Sequence, residues 1–482
     1  MAFTSFSFGL FLLLAFIIYY SVPPKTQWIV LLCLNIIFYG SYIPYHLSIL
    51  IVITLITYIG AIKLEKAHSQ QFKKIWFGAI IICCVSILIF FKYFNFLSTS
   101  LCAIFSFSTN RQTNPLLINI ILPVGISFYT FQTLGYLIDV YRGNSPAEHH
   151  LGIYAVFVSF FPQIISGPIA RSNQLLPQYH CGHTFQYKDV TYGLKLMAWG
   201  FFKKMAIADS YALYVDTIFN SAERYQGLSL LLASILFSIQ IYCDFSGYSD
   251  IAIGVAYLFG IHLPQNFRSP YFSTSIKEFW SRWHISLSQW LRDYIYIPLG
   301  GNRKGTYHTH RNLLITFFIS GLWHGANWTY ILWGILHGLG QIIENTLCSL
   351  HTAQKFLSSI PKTIKRLLAF AFCTFLWILF RSNSLTDALY IIEHIATGIT
   401  MPITYLKTAY TDLSLSWISI FYLVLPLIPL FLFDYFSLHF DVIDKISSLS
   451  VFKRWSIYIG FTLFTIFMMP SASGHSFIYF KF

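Results

Sequence analysis

Charge is scarce in this chain. Only 10% of its 482 residues are Asp, Glu, Lys or Arg, against roughly 25% in soluble domains. So few charges argue against a water-soluble globular protein. The 31 basic residues outnumber 18 acidic ones, yet they are spread through short loops instead of gathered into a patch. That distribution reports membrane orientation and argues against a nucleic-acid partner. Metal-binding spacings are missing as well: no HxxxH, HExxH or CxxC occurs, so no metal is expected. The eight cysteines, at 33, 83, 84, 102, 181, 243, 348 and 373, form no framework and read as small apolar filler. The first apolar run, "FGLFLLLAFIIYY", lacks a basic leader and a small-residue cleavage site, so it is expected to be a mature helix. No internal repeat or low-complexity tract stands out either. One membrane domain over 1–482 is therefore expected, with an aromatic tail at 475–482.

Apolar and aromatic residues fill the space that charge leaves. They make up 56% and 19% of the chain, and the mean hydropathy is +0.61. Stretches long enough for a hydrocarbon core of about 30 Å recur from end to end. Candidate spans lie near 6–22, 28–43, 46–62, 75–97, 116–138, 151–168, 190–219, 227–260, 310–347, 366–382, 417–436 and 455–469. The runs 227–260 and 310–347 are long enough for two spans or a re-entrant pair. The fold class expected is an all-α polytopic membrane protein with roughly ten to twelve crossings plus re-entrant or interfacial helices.

Basic loops set the orientation. Lys25, then Lys63, Lys66, Lys73 and Lys74, put 23–27 and 63–74 in the cytoplasm and the N-terminus outside. The basic segments 362–368 and 444–455 likewise place the C-terminal tail outside. The middle third does not alternate cleanly, as expected where helices are broken.

Polar groups inside a membrane cost several kcal/mol unless they face protein or a wet cavity, so they are candidates for function. They gather between about 160 and 340. "FPQIISGPIAR" joins Pro162, Gly167 and Pro168 to Gln163 and Arg171. "YCDFSGYSDIAIG" sets Asp244, Ser246, Ser249 and Asp250 in an apolar run, where the acids either pair with Arg268, Arg282 or Arg292 or line a pocket. The segment 275–301 reads as one amphipathic helix, with Ile276, Phe279, Trp280, Trp283, Leu287, Trp290, Leu291 and Tyr294 on one side. Lys277, Ser281, His284, Ser288 and Arg292 fall on the other, polar side. Glu278 and Arg282 are spaced to pair. In "GLWHGANW", His324 stands between glycines that allow close approach, and Asn327 is placed to orient an imidazole. A neutral histidine can take a proton from a hydroxyl or thiol, as acyl transfer requires. His337 lies thirteen residues on in a weaker context.

The blocks "PVGISFYTFQTLGYLIDVYRG", "FPQIISGPI", "DFSGYSDIAIG", "FWSRWHISLSQWLRDYIYIPLGGNRKG" and "GLWHGANWTYILWGILHG" resemble, nearly end to end, the membrane-bound O-acyltransferase family. The likeness is greatest to the bacterial branch that holds the membrane components of alginate and peptidoglycan O-acetylation and the teichoic-acid D-alanylation protein. The resemblance implies helices around a central tunnel, with a cytoplasmic acyl donor meeting an acceptor from outside. It implies that His324 is the catalytic histidine and His284 the second histidine. The ending "SFIYFKF" is similar to a terminal Phe-x-Tyr-x-x-Phe motif in which the tyrosine, here Tyr479, relays the acyl group; as an alternative it is an interfacial anchor. Trp323, Asn327, Asp244 and Arg292 are the substrate-binding residues expected around this centre. No bound cofactor is implied. Acetyl-CoA would be the donor substrate, a polysaccharide the acceptor and an extracytoplasmic acetyltransferase the partner, beside the lipids of the cytoplasmic (inner) membrane. Direct transfer to the acceptor, lipid or D-alanyl chemistry, and a small-solute transporter remain as alternatives.

Overall fold

The computed structural model describes residues 1–109, 114–470 and 477, and every regular element among them is helical. Among the described residues, five helices are long and apolar enough to cross a membrane: His46–Glu65, Gln70–Thr109, Leu228–Leu258, Lys362–Arg381 and Trp417–Ser437. Phe6–Ser21 is a shorter apolar helix. Other hydrophobic segments form further helices, some long and unbroken, as Thr306–His324, Trp328–Ser349 and Val451–Met468, and some short, as Leu151–Ser159.

Several expected boundaries change for identifiable reasons. The run 227–260 is one unbroken helix, Leu228–Leu258, and not a pair of spans. The run 310–347 is a pair, Thr306–His324 and Trp328–Ser349. The span expected at 75–97 lies inside the 40-residue helix Gln70–Thr109, which at 1.5 Å per residue is about 60 Å long. The segment expected as helix from 116 becomes one only at Ile126, after Gly125 turns the backbone left-handed at φ 74°. The run 151–168 is helical only to Ser159. Beyond it the buried Asn35 side chain accepts from the Phe161 N–H at 2.9 Å, replacing a helical bond.

The chain divides into two compact units, Met1–Leu194 with Ala252–Pro264, and Lys195–Ile251 with Gln265–Phe482. In the first, buried polar side chains tie helix to helix: Tyr154 donates to Thr57 at 2.7 Å, and Gln132 to the Phe157 carbonyl at 2.7 Å. In the second, Thr306–His324 and Trp328–Ser349 pack closely because two glycines permit it. A Cβ on Gly321 would run into the Tyr330 carbonyl, and one on Gly334 into the Phe317 carbonyl.

The second unit also shows what pairs with Asp244 and Asp250. A π-helical turn, Phe202–Ala208, carries Lys203 and Lys204. Lys203 Nζ lies 2.7 Å from Asp250 and 2.8 Å from Ser246 Oγ. Lys204 Nζ bridges Asp244 at 2.6 Å and Asp209 at 2.8 Å. The partners are therefore lysines about forty positions upstream, and not Arg268, Arg282 or Arg292. The lysines escaped notice because "FFKKM" sits in an apolar run that reads as continuous helix.

Candidate active site

Capping builds the entry to the site. Ser275 Oγ accepts from the Glu278 N–H at 2.9 Å, and Glu278 takes the Thr274 N–H and hydroxyl, each at 2.7 Å, a variant of the capping box. Glu344 from the following hairpin accepts from Ile276 N at 3.1 Å and Lys277 N at 3.0 Å. These bonds satisfy donors that a helix start leaves open. Arg282 pairs with Glu278 at 2.6 Å, as its spacing indicates. Burial alone would raise the Glu278 carboxyl, but the Thr274 bonds and Arg282 outweigh it and hold it below its ordinary value.

The helix then breaks. Instead of one amphipathic element over 275–301, the structure has Ile276–Arg282 and Ile285–Leu291, with His284 between them at φ 43°, ψ 54°. A left-handed non-glycine residue costs on the order of 1–3 kcal/mol and persists only where its surroundings hold it. Here the segment 266–268 does so: Arg268 N bonds Arg282 O at 3.0 Å, and Ile285 N bonds Asn266 O at 2.9 Å. The reversal turns His284 inward, so it is fully buried and does not lie on a polar surface face as helical periodicity suggested. Burial pushes its imidazole down to about 3.

His324 is the last residue of Thr306–His324 and is 3% exposed. Trp323, Trp333 and Phe380 surround its ring, with centroids at 4.9, 5.0 and 5.1 Å and planes nearly perpendicular. Trp323 links the two histidines, its ring lying 5.8 Å from that of His284. On its other side His284 meets Phe245 edge-on at 4.7 Å. Phe477, from the C-terminal segment, is buried, stacks on Tyr248 at 4.5 Å and reaches Phe245 at 6.2 Å. Both imidazoles thus share one aromatic enclosure. Beside it lies a cavity of about 670 Å³, whose lining includes Ser320, one helical turn before His324, and Ile285, next to His284. Polar Ser288 and Gln341 and cationic Lys277 and Arg292 also line it.

The remaining expected site residues fall elsewhere or serve other ends. Asn327 does not hold the imidazole through a bond seen here; it caps Trp328–Ser349 by accepting from Thr329 N at 3.1 Å and donates to Asn383 O at 2.9 Å. Asp244 is held by Lys204. Arg292 faces the cavity while paired with its neighbour Asp293 at 2.7 Å. Tyr479 lies outside the described residues. Sequence reasoning missed Asn266, which bonds both His284 and Ser286, and the aromatic wall given by Trp333 and Phe380. The short loop "LPQNFRSP" offers two adjacent amides, Gln265 and Asn266, and nothing in the sequence tells them apart.

A family model described as membrane-bound O-acyltransferase matches residues 145–385, taking in both histidines. The chain is 36% identical over 396 residues to the peptidoglycan O-acetyltransferase of Helicobacter pylori, covering 77% of this chain and 73% of that protein. It is 41% identical over 389 residues to the Azotobacter vinelandii protein named "Probable alginate O-acetylase AlgI", covering 79% and 74%. The teichoic acid D-alanyltransferase of Streptococcus thermophilus is 32% identical over 240 residues, covering 46% and 56%. The transporter alternative falls away on these similarities. With blocks matched over most of its length to such enzymes, the chain belongs to the membrane-bound O-acyltransferase family and is itself an O-acyltransferase.

Proposed function

We propose that this protein moves an acetyl group from cytoplasmic acetyl-CoA to hydroxyls of an extracytoplasmic polysaccharide, through an acetyl ester on Tyr479 and a partner acetyltransferase outside the inner membrane. The observation that carries the relay is the packing of Phe477 against Tyr248 and Phe245, the latter edge-on to His284. Phe477 stands two residues before Tyr479, and two residues of chain span at most about 7 Å. Acetyl is favoured over D-alanyl because the relatives named for O-acetylation match across more of the chain.

In this mechanism His324 takes the Tyr479 hydroxyl proton as the phenolic oxygen attacks the thioester carbonyl carbon. An unactivated phenol has a pKa of about 10, so a placed base is required. The carbonyl end of Thr306–His324 favours the positive charge that then develops on the ring. Collapse of the tetrahedral adduct breaks the C–S bond, and the imidazolium returns its proton to the departing thiolate. The products are acetyl-Tyr479 and free thiol. A hydroxyl of the partner or glycan next displaces the tyrosine and takes the acetyl outward, with both termini on the outer side. Lys277 and Arg292 offer cations to an anionic donor in the cavity. Trp323, with Trp333 and Phe380, keeps out water that would hydrolyse the thioester. Asp244 and Asn327 act through the frame, by way of Lys204 and Asn383.

The test is polymer-linked acetate in cells carrying wild type, His324→Ala or Tyr479→Phe at equal membrane level. Loss in both supports the relay. Loss in His324→Ala alone means direct transfer to the acceptor, and retention in both overturns the mechanism.

A further inference from the structure

Asn266 is fully buried, and its contacts fix which way its amide points. Its Oδ1 lies 3.3 Å from the Ser286 backbone N and 2.9 Å from Ser286 Oγ, while Nδ2 donates to Ser249 Oγ at 3.2 Å. A backbone N–H can only donate, so the amide atom facing it must be the oxygen. His284 Nδ1 lies 3.1 Å from that same oxygen. An oxygen cannot donate here, so Nδ1 must carry the proton.

We infer that Asn266 is a positioning residue that locks His284 in the Nδ1–H tautomer, which leaves Nε2 as the acceptor that the second histidine brings to the reaction. A neutral imidazole has one N–H, and the bond at one ring nitrogen decides the state of the other. Burial keeps His284 neutral. The backbone bond from Ile285 N to Asn266 O holds the same two segments in register, so one asparagine sets both the turn and the tautomer.

The third buried histidine of this unit shows the opposite arrangement. Trp280 Nε1, which can only donate, lies 3.3 Å from His337 Nδ1. His337 therefore has a bare Nδ1 and carries its proton on Nε2. The two tautomers are set by different partners, and only that of His284 presents a lone pair from Nε2.

This narrows the second histidine's part in the proposed reaction, on which the functional half of the inference rests. An acceptor at Nε2 cannot donate to a developing oxyanion; it can hold a hydroxyl or amide hydrogen and orient its bearer. The tautomer itself does not depend on that reaction.

The experiment is solid-state NMR of the full-length protein in lipid bilayers, labelled with 13C and 15N in histidine, with His284→Gln identifying the His284 signal by difference. At pH 7 the expected signal is a protonated Nδ1 and a bare Nε2. Asn266→Ala should shift it toward the Nε2–H form, and Asn266→Asp, whose carboxylate also accepts, should restore Nδ1–H. An Nε2-protonated His284 in the wild type, or an unchanged signal in Asn266→Ala, overturns the inference. Acetate delivery in the same variants, at equal membrane level, should fall roughly tenfold or more in Asn266→Ala, as when a partner that orients a histidine is lost. A tautomer shift with unchanged delivery overturns the functional half and counts against His284 in the proposed mechanism, while the assignment of Asn266 stands.

Discussion

A buried imidazole is useful in proton transfer only if its environment decides where the proton sits, and the two site histidines are served by different means. His284 has a polar anchor in Asn266, whereas His324 is framed by Trp323, Trp333 and Phe380. His324→Gln keeps hydrogen-bonding capacity but removes the base, so acetyl transfer should fall about 10²–10⁴-fold, the usual worth of a general base. Membrane levels and thermal stability should stay near wild type. Loss of the folded protein instead would make His324 a packing residue. His284 adds a pH signature. Its folded value lies below the ordinary histidine value near 6.5, so the unfolded chain binds the extra proton as pH falls below 6.5. Stability should therefore decline from pH 6.5 downward, and His284→Asn should flatten part of that decline in a thermal-unfolding series. At the residue scale the sequence made the confined setting of His324 legible, because its neighbours are glycines and tryptophans in an apolar run, and the structure encloses it in aromatic rings. The sequence misled about His284, since helical periodicity cannot reveal a left-handed residue held by a loop eighteen positions upstream.

At the scale of elements, the site depends on how closely two helices approach. Gly321 and Gly334 leave no room for a Cβ against the Tyr330 and Phe317 carbonyls. Backbone cannot yield as a flexible side chain does, so Gly334→Ala should cost about 1–3 kcal/mol through overpacking. The expected readout is a lower midpoint in thermal unfolding of the solubilised protein, together with lost transfer as His324 shifts on the end of its helix. An unchanged midpoint would mean that the hairpin tolerates separation. The run 310–347 was long enough for two spans and is a hairpin, but length alone did not distinguish it from 227–260, which is a single helix. The break within 275–301 was not legible, because both halves keep their apolar residues in helical phase and no glycine or proline separates them. The proposed relay adds a test at this scale, the contact of Phe477 with Tyr248. Phe477→Ala should reduce acetate delivery as far as Tyr479→Phe does, while Phe477→Leu, which still fills the site beside Tyr248, should retain a measurable part of it. Equal delivery in Phe477→Ala and wild type would detach the tail from the mechanism.

Across the whole molecule, scarcity of charge makes each buried charge consequential. Lys203, Lys204, Asp209, Asp244 and Asp250 come from the π-helical turn and the helices Asp209–Phe219 and Leu228–Leu258. Asp244 and Asp250 were visible in the sequence as expensive groups in an apolar run, but pairing depends on tertiary approach, and the arginines expected downstream were the wrong partners. An ion pair taken out of water gains little over a well-packed apolar pair, yet removing one member leaves an uncompensated charge at a cost of about 3–5 kcal/mol. Asp250→Leu should therefore lower the folded yield sharply by stranding the buried Lys203, and Lys203→Met should lower it less, because the Asp250 side chain keeps 20% of its surface exposed. The double variant Lys203→Met/Asp250→Leu should recover much of the loss, and its recovered protein should still transfer acetate. The measurement is a double-mutant cycle on folded yield and transfer per folded molecule. Full yield but no transfer in Lys203→Met would instead make this lysine part of the chemistry, so the same cycle tells scaffold from site at this ion pair.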